Sequence, residues 1–364
     1  MGSAHYINLD RQEQDRVCLN PDRDFRFWMR LSPRLNDREI FTLVNKPLYQ
    51  SLIMSTSNLD RLRLQLPPMG FGTWAWGDRL FWNYGSDYGE TEVGLAFQAA
   101  IKAGVTLFDT AEVYGLGKSE ELLGQFARAT KEPMTIATKF APLPWRFQKQ
   151  SVADALTASL KRLRVARVDL YQVHWPFALF LNPEILMDAL ADEFDRGRIR
   201  AIGVSNYNAN QLQEAHQLLA ARGIPLSVNQ VRYSLLNREI ETNGVLATAR
   251  DLGVKILAYS PLAQGLLTGR YTPDRPPAGV RSWDRRFSAE GLAKIAPTIE
   301  LLTSLGRELD RTPAQVALNW LMAQPNVIPI PGVKTAAQVV QHAGALGWKL
   351  SEEAVNQLSV STSG

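Results

Sequence analysis

Four polar residues of complementary chemistry occur at intervals through the middle of the sequence: Asp109, Tyr114, Lys139 and His174. A tyrosine hydroxyl has a pKa of about 10, too high for easy proton exchange at neutral pH. A neighbouring lysine ammonium favours the phenolate and lowers that pKa, and a carboxylate keeps the lysine charged. An imidazole beside the tyrosine can orient or polarise a carbonyl group. Together these groups predict a proton donor and acceptor acting at a carbonyl, with the hydride supplied by a cofactor.

Each of the four residues has an ordinary explanation when it is taken alone. A strand-end aspartate usually caps a turn, a lysine is usually solvated, a tyrosine usually packs, and a histidine is more often a satisfied core residue. Their occurrence together is what indicates a site. The other histidines, His5, His216 and His342, are far apart, and the zinc signature His-Glu-x-x-His does not occur, so we expect no metal site.

The elements that must position these residues alternate regularly. Short apolar runs of strand length predict eight strands: Met69–Trp74, Thr106–Asp109, Met134–Lys139, Val168–His174, Ile199–Ser205, Leu226–Val231, Val254–Ser260 and Val327–Pro331. Helical patterns lie between them, for example Thr91–Ala103, Ser119–Arg128 and the apolar face of Val152, Leu156, Leu160 and Leu163. Strict alternation of strand and helix predicts parallel strands joined by right-handed crossovers.

Two parallel architectures remain, an open doubly wound sheet and a closed barrel. The open dinucleotide fold should show Gly-x-Gly-x-x-Gly after its first strand, whereas the turn after Asp109 reads Gly115-Leu116-Gly117-Lys118-Ser119-Glu120 without the third glycine. Eight repeats in about 300 residues favour a (β/α)8 barrel, in which the strand ends surround one mouth and would bring the four polar residues together. The long connection Leu266–Glu290 is typical of a lid, a binding loop or a disordered segment.

The sequence predicts a single barrel domain over residues 61–364. Residues 1–60 lack a sustained helical or strand period, and we expect them to be an extension, either disordered or the product of a start placed upstream of the patterned sequence near Met54. A secretory signal is not expected because no apolar h-region follows a basic start. An organelle transit peptide is not expected either, because this tail contains seven acidic residues spread from Asp10 to Glu39.

The composition excludes several classes of protein. The single cysteine, Cys18, excludes an intramolecular disulfide and fits a reducing compartment, namely the cytoplasm, or a plastid if the chain comes from a plant. A net charge of +4 is too mild to predict nucleic-acid binding. The sequence contains no run of about 18 apolar residues, so it does not predict a membrane span. We expect a small-molecule carbonyl substrate, and the sequence leaves the oligomeric state open.

From about residue 61 to the C-terminus the sequence resembles the aldo-keto reductases, and the four polar residues resemble the catalytic tetrad of that family. The supporting motifs occur in family order: Gly70-Phe71-Gly72-Thr73-Trp74, Phe108-Asp109-Thr110-Ala111-Glu112-Val113-Tyr114-Gly115, Ala137-Thr138-Lys139-Phe140, Gly203-Val204-Ser205-Asn206, Asn229-Gln230, Tyr259-Ser260-Pro261-Leu262, Gly265-Leu266-Leu267-Thr268-Gly269-Arg270-Tyr271 and Ile330-Pro331-Gly332-Val333-Lys334-Thr335. The resemblance implies a (β/α)8 barrel that binds NADPH across its mouth. Tyr114 would be the general acid, Lys139 and Asp109 would tune it, and His174 would orient the substrate.

The resemblance also implies a set of cofactor contacts. Ser205, Asn206 and Gln230 match positions that hold the nicotinamide carboxamide, and Tyr233 is a candidate for the ring face. Arg270 could reach the pyrophosphate, and Lys334 matches the position that meets the 2′-phosphate. The remaining implied contacts are Gly72, Thr73, Trp74, Ser260, Leu262, Gln264, Gly265, Leu267, Gly332, Gln338 and His342. The family's usual Glu-Asn pair after Gln338 reads Gln341-His342 here, which departs from the pattern on the adenine side.

The substrate is left open at this stage. Aromatic residues cluster after the first strand and after His174, and either ordinary packing or a wall for a planar substrate explains them; as substrate contacts we take Trp76, Phe81, Trp82 and Trp175. The sequence resembles most a plant and cyanobacterial branch of the family that is similar to pyridoxal reductases. A broad reductase of reactive aldehydes explains the same residues. A third possibility, from another class, is an NADPH-sensing regulatory subunit resembling the potassium-channel beta subunits.

Overall fold

The structure is a computed structural model, which describes residues 64–176, 181–277 and 279–362. The prediction that residues 1–60 form an extension falls outside this described part, and it stays a prediction.

The described residues form a sheet of eight parallel strands, in which each strand pairs with the next one along the chain. The strands are β1 Gly70–Gly72, β2 Leu107–Asp109, β3 Thr135–Phe140, β4 Leu170–Val173, β5 Ile202–Ser205, β6 Leu226–Arg232, β7 Lys255–Tyr259 and β8 Val327–Pro329. Among the described residues β1 and β8 share no ladder, but the sheet closes just beyond β8. There Gly72 pairs with Gly332, and the N–H of Gly72 donates to the carbonyl of Pro331 at 3.0 Å. The predicted (β/α)8 barrel is confirmed.

Helices separate the strands in the alternating order that the sequence predicts. They are α1 Glu90–Lys102, α2 Lys118–Ala127, α3 Lys149–Leu163, α4 Pro183–Asp195, α5 Ala209–Ala220, α6 Glu239–Thr242, α7 Val245–Asp251, α8 Ala289–Leu309, α9 Pro313–Ala323, α10 Ala336–Ala343 and α11 Glu352–Ser361. The local sequence determines where several helices begin, because the side chains of Asn208, Thr312 and Ser351 accept a hydrogen bond from a backbone N–H of the first turn. Such a cap stabilises a helix by about 1 kcal/mol. None of the described helices combines the length and the apolar character that a bilayer span requires.

Strand side chains alternate between two cores, one inside the barrel and one between the strands and the helices. The inner core is an apolar floor built from Leu107, Ala137, Leu170, Val228 and Leu257. The residues two positions further along their strands also face inward, and they are Asp109, Lys139, Gln172, Gln230 and Tyr259. The period of two therefore lays a polar layer directly on the apolar floor, at the carboxyl ends of the strands.

The strands occupy the predicted positions, but most are shorter than predicted. β1 is Gly70–Gly72, not Met69–Trp74, because the chain leaves the ladder to turn around the mouth. The long connection Leu266–Glu290, for which three alternatives were open, contains short 3-10 turns at Gly279–Trp283 and Arg285–Phe287 before α8.

Candidate active site

The four predicted polar residues meet at the mouth around the ammonium group of Lys139. This group, fully buried, donates to both carboxylate oxygens of Asp109, at 2.7 Å to Oδ1 and closer to Oδ2. It also donates to the carbonyl of Thr110 at 2.8 Å and to the hydroxyl of Tyr114 at 3.2 Å. His174 lies next to them, with its ring centroid 5.6 Å from that of Tyr114. The structure thus brings the four side chains together as predicted.

Burial and the ion pair compete in setting the protonation of these groups. Burial disfavours the Lys139 cation, but Asp109 and Tyr114 outweigh that effect, so the pKa of Lys139 stands above its usual value. Burial also raises the pKa of Tyr114, and Lys139 pulls it back only in part. The expected effect of lysine on tyrosine is therefore present but smaller than the effect of burial. Tyr114 stays protonated at neutral pH, which is the state a proton donor needs.

His174 is neutral in this site. Its side chain is buried, and burial, with a smaller contribution from the Lys139 charge, lowers the pKa of His174 to about 2. Among the described residues its Nδ1 has no hydrogen-bond partner. A neutral imidazole can orient a carbonyl by hydrogen bonding without competing with the tyrosine for the role of acid.

Two glutamine amides also donate to the Asp109 carboxylate. Gln230 Nε2 donates to its two oxygens at 2.8 and 3.1 Å, and Gln172 Nε2 donates to Oδ1 at 3.3 Å. Gln230 was expected at the nicotinamide carboxamide, and it does line the mouth, but its N–H groups point at Asp109. Gln172 was not predicted. Its position two residues before His174, in the same strand, was the available signal.

The loop that carries Tyr114 is tied to its neighbours. Glu112 accepts from the guanidinium of Arg146 at 2.5 and 2.9 Å and from the backbone N–H of Ala141 at 2.7 Å. The backbone of Gly115 lies against Gly77, where an added Cβ would be 2.6 Å from the Gly77 carbonyl oxygen. These contacts fix the tyrosine loop between the segments that follow β1 and β3.

The tetrad opens onto a cleft of about 840 Å³ that runs across the barrel mouth. The cleft is lined by many of the predicted cofactor contacts: Gly72, Trp74, Ser205, Asn206, Gln230, Ser260, Leu262, Gln264, Gly265, Arg270, Gly332, Lys334, Gln338 and His342. Trp82 and Trp175, predicted at the substrate, line it as well. Phe81, also predicted at the substrate, stacks on the cleft-lining Trp74 with ring centroids 5.0 Å apart.

The structure places four other predicted residues away from the cleft. Trp76 is fully buried, and its Nε1 donates to the carbonyl of Val333 at 2.8 Å, so it is a core residue and not a substrate contact. Thr73 is buried against Ser119, with oxygens 2.8 Å apart, and Leu267 is buried in the outer core. Tyr233 packs on Trp320, and its hydroxyl donates to Glu241 at 2.7 Å.

The aromatic ring that faces the cleft at this side is Tyr259, at the end of β7, and not Tyr233. Tyr259 lines the cleft, and its hydroxyl donates to Asn206 Oδ1 at 3.1 Å. The period of two explains the difference. Tyr259 lies two residues beyond Leu257 of the apolar floor and therefore points inward, whereas Tyr233 lies just beyond the end of β6 and turns outward.

The backbone after β7 has the form of an anion site. Three residues that are not glycine, Ser260, Ala263 and Gln264, adopt φ values of 50°, 46° and 58°, and Gly265 follows with φ 103°. Left-handed residues interspersed with right-handed ones are the backbone pattern of a concave anion-binding nest. In this segment the N–H groups of Ala263 and Gly265 donate to the carbonyls of Ser260 and Leu262. L-residues hold this conformation at a cost of about 1 kcal/mol or more each, and such strain is concentrated at functional sites. This segment fits the pyrophosphate of a dinucleotide.

Positive side chains extend the anion site along the cleft. The cleft-lining cations are Arg232, Arg270, Arg281 and Lys334, of which Arg232 and Arg281 were not predicted. Lys334 Nζ donates to the carbonyl of Trp82 at 3.1 Å and lies 4.7 Å from its ring centroid and 4.3 Å from that of Tyr88. Burial, with a smaller contribution from Arg281, lowers the pKa of Lys334 to about 8. The charge and the shape of the cleft fit an anionic dinucleotide.

No group of histidine, cysteine, aspartate and glutamate that could hold a metal is found in the described part of the chain.

Fold and site together define a (β/α)8 barrel in which a tyrosine lies beside a buried ion pair at the mouth, next to a cleft with cationic lining. The model of the Aldo/keto reductase family matches residues 68–361. Pyridoxal reductase, chloroplastic, from Arabidopsis thaliana is 37% identical over 325 residues, covering 86% of this chain and 88% of that protein. The NADH-specific methylglyoxal reductase of Escherichia coli is 32% identical over 313 residues, covering 79% and 92%. An aldo-keto reductase from Klebsiella pneumoniae, solved in complex with NADPH, superposes with a TM-score of 0.62 at 27% identity, covering 82% and 91%.

The chain belongs to the aldo-keto reductase family. It is an oxidoreductase of that family and uses a nicotinamide cofactor. The resemblance that the tetrad and motifs predict is thereby confirmed.

The buried neutral His174 should make the protein less stable in acid. Its pKa is near 2 when folded and about 6.5 when unfolded, so the unfolded chain binds a proton that the folded chain rejects as the pH falls below 6.5. Between roughly pH 6 and 4, the free energy of unfolding should fall with decreasing pH in the wild type more steeply than in His174→Gln. The two slopes should differ by up to about 1.4 kcal/mol per pH unit. Urea denaturation across this range measures both slopes. Parallel slopes would contradict the assignment.

Proposed function

We propose that this protein reduces an aldehyde or ketone to the alcohol with NADPH, and that Tyr114 is the general acid. One observation carries the proposal. A protonated tyrosine hydroxyl is held 3.2 Å from a buried, paired lysine ammonium at the floor of a cationic cleft. Among the described residues that line the cleft, Tyr114 is the proton donor that combines this position with a stabiliser for the charge that it acquires.

The chain's own residues account for the proton transfer. Tyr114 donates its hydroxyl proton to the carbonyl oxygen, and the nearby Lys139 ammonium stabilises the phenolate that forms. Asp109 keeps the ammonium charged in a buried place, where an unpaired cation would be costly. Neutral His174, beside Tyr114, hydrogen-bonds the same carbonyl and sets its direction. The reduced nicotinamide, when bound, supplies the hydride to the carbonyl carbon.

The residues of the cleft fit this cofactor along its length. Ser205, Asn206 and the Gln230 carbonyl would hold the carboxamide, and Tyr259 would support the ring in place of Tyr233. The nest at Ser260–Gly265 and Arg270 would hold the pyrophosphate. Lys334, near the start of α10, would meet the 2′-phosphate, and this contact supports NADPH over NADH. The Escherichia coli relative is named for NADH, whereas the Klebsiella pneumoniae structure contains NADPH, so both cofactors occur among similar proteins.

The aromatic wall favours a planar carbonyl substrate, and pyridoxal is our proposed one. Trp74 stacks on Phe81 and meets Trp82 edge-on at 5.4 Å, and its ring lies 6.2 Å from that of Tyr114. Apolar faces around the acid suit a flat heteroaromatic aldehyde. The relative named pyridoxal reductase supports the same choice. Broad reduction of reactive aldehydes is the second candidate, and the relative named for methylglyoxal favours it.

Tyr114→Phe should abolish aldehyde reduction and leave NADPH affinity within a few-fold. The variant removes the donated proton but keeps the ring, and general acid catalysis contributes roughly a hundredfold to ten-thousandfold. Steady-state rates and a fluorescence titration with NADPH measure the two effects separately. Tyr171→Phe is a matched control, since this buried hydroxyl has no hydrogen-bond partner among the described residues. A near-normal rate in Tyr114→Phe would show that another group is the acid.

Lys334→Ala should weaken NADPH binding roughly tenfold to a hundredfold and NADH binding little, because a charge-assisted contact is worth about 1.5–3 kcal/mol. Lys118→Ala, which removes an exposed lysine paired with Glu121, should change neither affinity. Since the pKa of Lys334 is lowered to about 8, the wild-type preference for NADPH should shrink as the pH rises above 8. Dissociation constants for both cofactors test this. Equal losses for the two would argue against the contact with the 2′-phosphate.

Pyridoxal should be reduced with a higher kcat/KM than aliphatic aldehydes, simple aromatic aldehydes and methylglyoxal. The measurement follows NADPH absorbance with purified protein and this panel. A panel rate equal to or above the pyridoxal rate would indicate a broad carbonyl reductase. NADPH binding without turnover of any substrate would instead favour a cofactor-sensing partner protein.

A further inference from the structure

Gln172 lies in the interior of the barrel next to the Asp109–Lys139 ion pair. Its side chain is fully buried and lies in the polar layer above the apolar floor. Its Nε2 donates to Asp109 Oδ1 at 3.3 Å, and its Oε1 accepts from Gln230 Nε2 at 3.1 Å. Gln230 also donates to Asp109, so the three side chains form a closed hydrogen-bonded triangle.

A buried amide in this place is not explained by packing. An apolar side chain of similar size would fill the same space at no cost in desolvation, whereas a buried amide must find partners for its polar atoms. Both ends of the Gln172 amide find theirs within the triangle. Removing it would leave Asp109 and Gln230 each with one hydrogen bond fewer, deep inside the protein.

The neighbouring strand makes room for Gln172. Gly203 lies directly beside it in the register of β4 and β5. A Cβ at Gly203 would lie 2.9 Å from Gln172 Cγ and 2.4 Å from Val228 Cγ2. Gly203 is not among the glycines with positive φ, so its backbone would accept another residue. The glycine is required by the space that Gln172 and Val228 occupy.

We propose that Gln172 is a positioning residue that acts on the acid through Asp109 and Lys139. It shares the negative charge of Asp109, holding the carboxylate so that both oxygens face the ammonium while the ammonium stays within reach of Tyr114. Without this donor, Asp109 draws the ammonium more strongly to itself, and Lys139 stabilises the Tyr114 phenolate less. This inference rests on the proposed role of Tyr114 as the acid.

Two isosteric variants test the proposal. Gln172→Met removes the donor, so kcat for carbonyl reduction should fall about tenfold, equivalent to about 1.4 kcal/mol. The alkaline limb of its kcat profile should move to higher pH, because Tyr114 loses part of the stabilisation of its phenolate. Gln172→Glu can donate to Asp109 only when its carboxyl group is protonated. Its activity relative to the wild type should therefore recover as the pH is lowered, while that of Gln172→Met should not.

Controls separate this role from a structural one and from the proposed function. Tyr171→Phe changes the adjacent residue on the opposite face of the strand and should leave rates and pH profile unchanged. NADPH dissociation constants and melting temperatures show whether the variants fold and bind. Folded, NADPH-binding variants with the wild-type pH profile, or equal loss in both with no recovery in acid, would overturn the positioning role. If instead Tyr114→Phe kept its activity, the proposed function would fail, whatever Gln172 does.

Discussion

Lys139 carries its ammonium into the interior of the barrel, where it has no access to water, and much of the mouth is arranged around that charge. A buried cation is stable only when charges and dipoles replace its hydration. Asp109 supplies the charge, and the carbonyl of Thr110 and the hydroxyl of Tyr114 supply dipoles. The carboxylate is held in turn by amides from β4 and β6. The ion pair therefore forms only when strands that are distant in sequence keep their register. The same ion pair determines the electrostatic environment of Tyr114.

The same mouth concentrates backbone strain. Asn206, Ser260, Ala263 and Gln264 all take left-handed conformations that favour glycine, and all but Ala263 line the cleft. Leu116, two residues after Tyr114, does so as well while its side chain is almost wholly exposed. The regular elements below the mouth contribute the stability that lets these loops persist. The regular, apolar part of the barrel thus supports the strained polar loops at its mouth.

The sequence predicts the barrel and the tetrad because both follow from local patterns, namely strand length, alternation with helices and polar residues at or near the ends of the second, third and fourth strands. The prediction from sequence is wrong where a residue's role depends on the direction in which its side chain points. Trp74 lines the cleft and Trp76 is buried, although both belong to one aromatic cluster, because both follow the end of β1 at Gly72, where the alternation of a strand no longer sets the direction of side chains. Tyr259 and Tyr233 differ in the same way. Gln172 escapes prediction because its partners, Asp109 and Gln230, come from strands that only the closed barrel brings together.

The closure of the barrel has a consequence for folding. Seven ladders join consecutive strands among the described residues, whereas β1 joins the segment just after β8 through the bridge between Gly72 and Gly332. Both glycines line the cleft, so a ligand that fills it lies across the least paired seam of the sheet. Opening along that seam would separate the two sides of the cleft. A bound ligand opposes this opening by mass action, by about 2.7 kcal/mol when its concentration is a hundred times its dissociation constant. A ligand that binds in the cleft therefore also stabilises the closed barrel against unfolding.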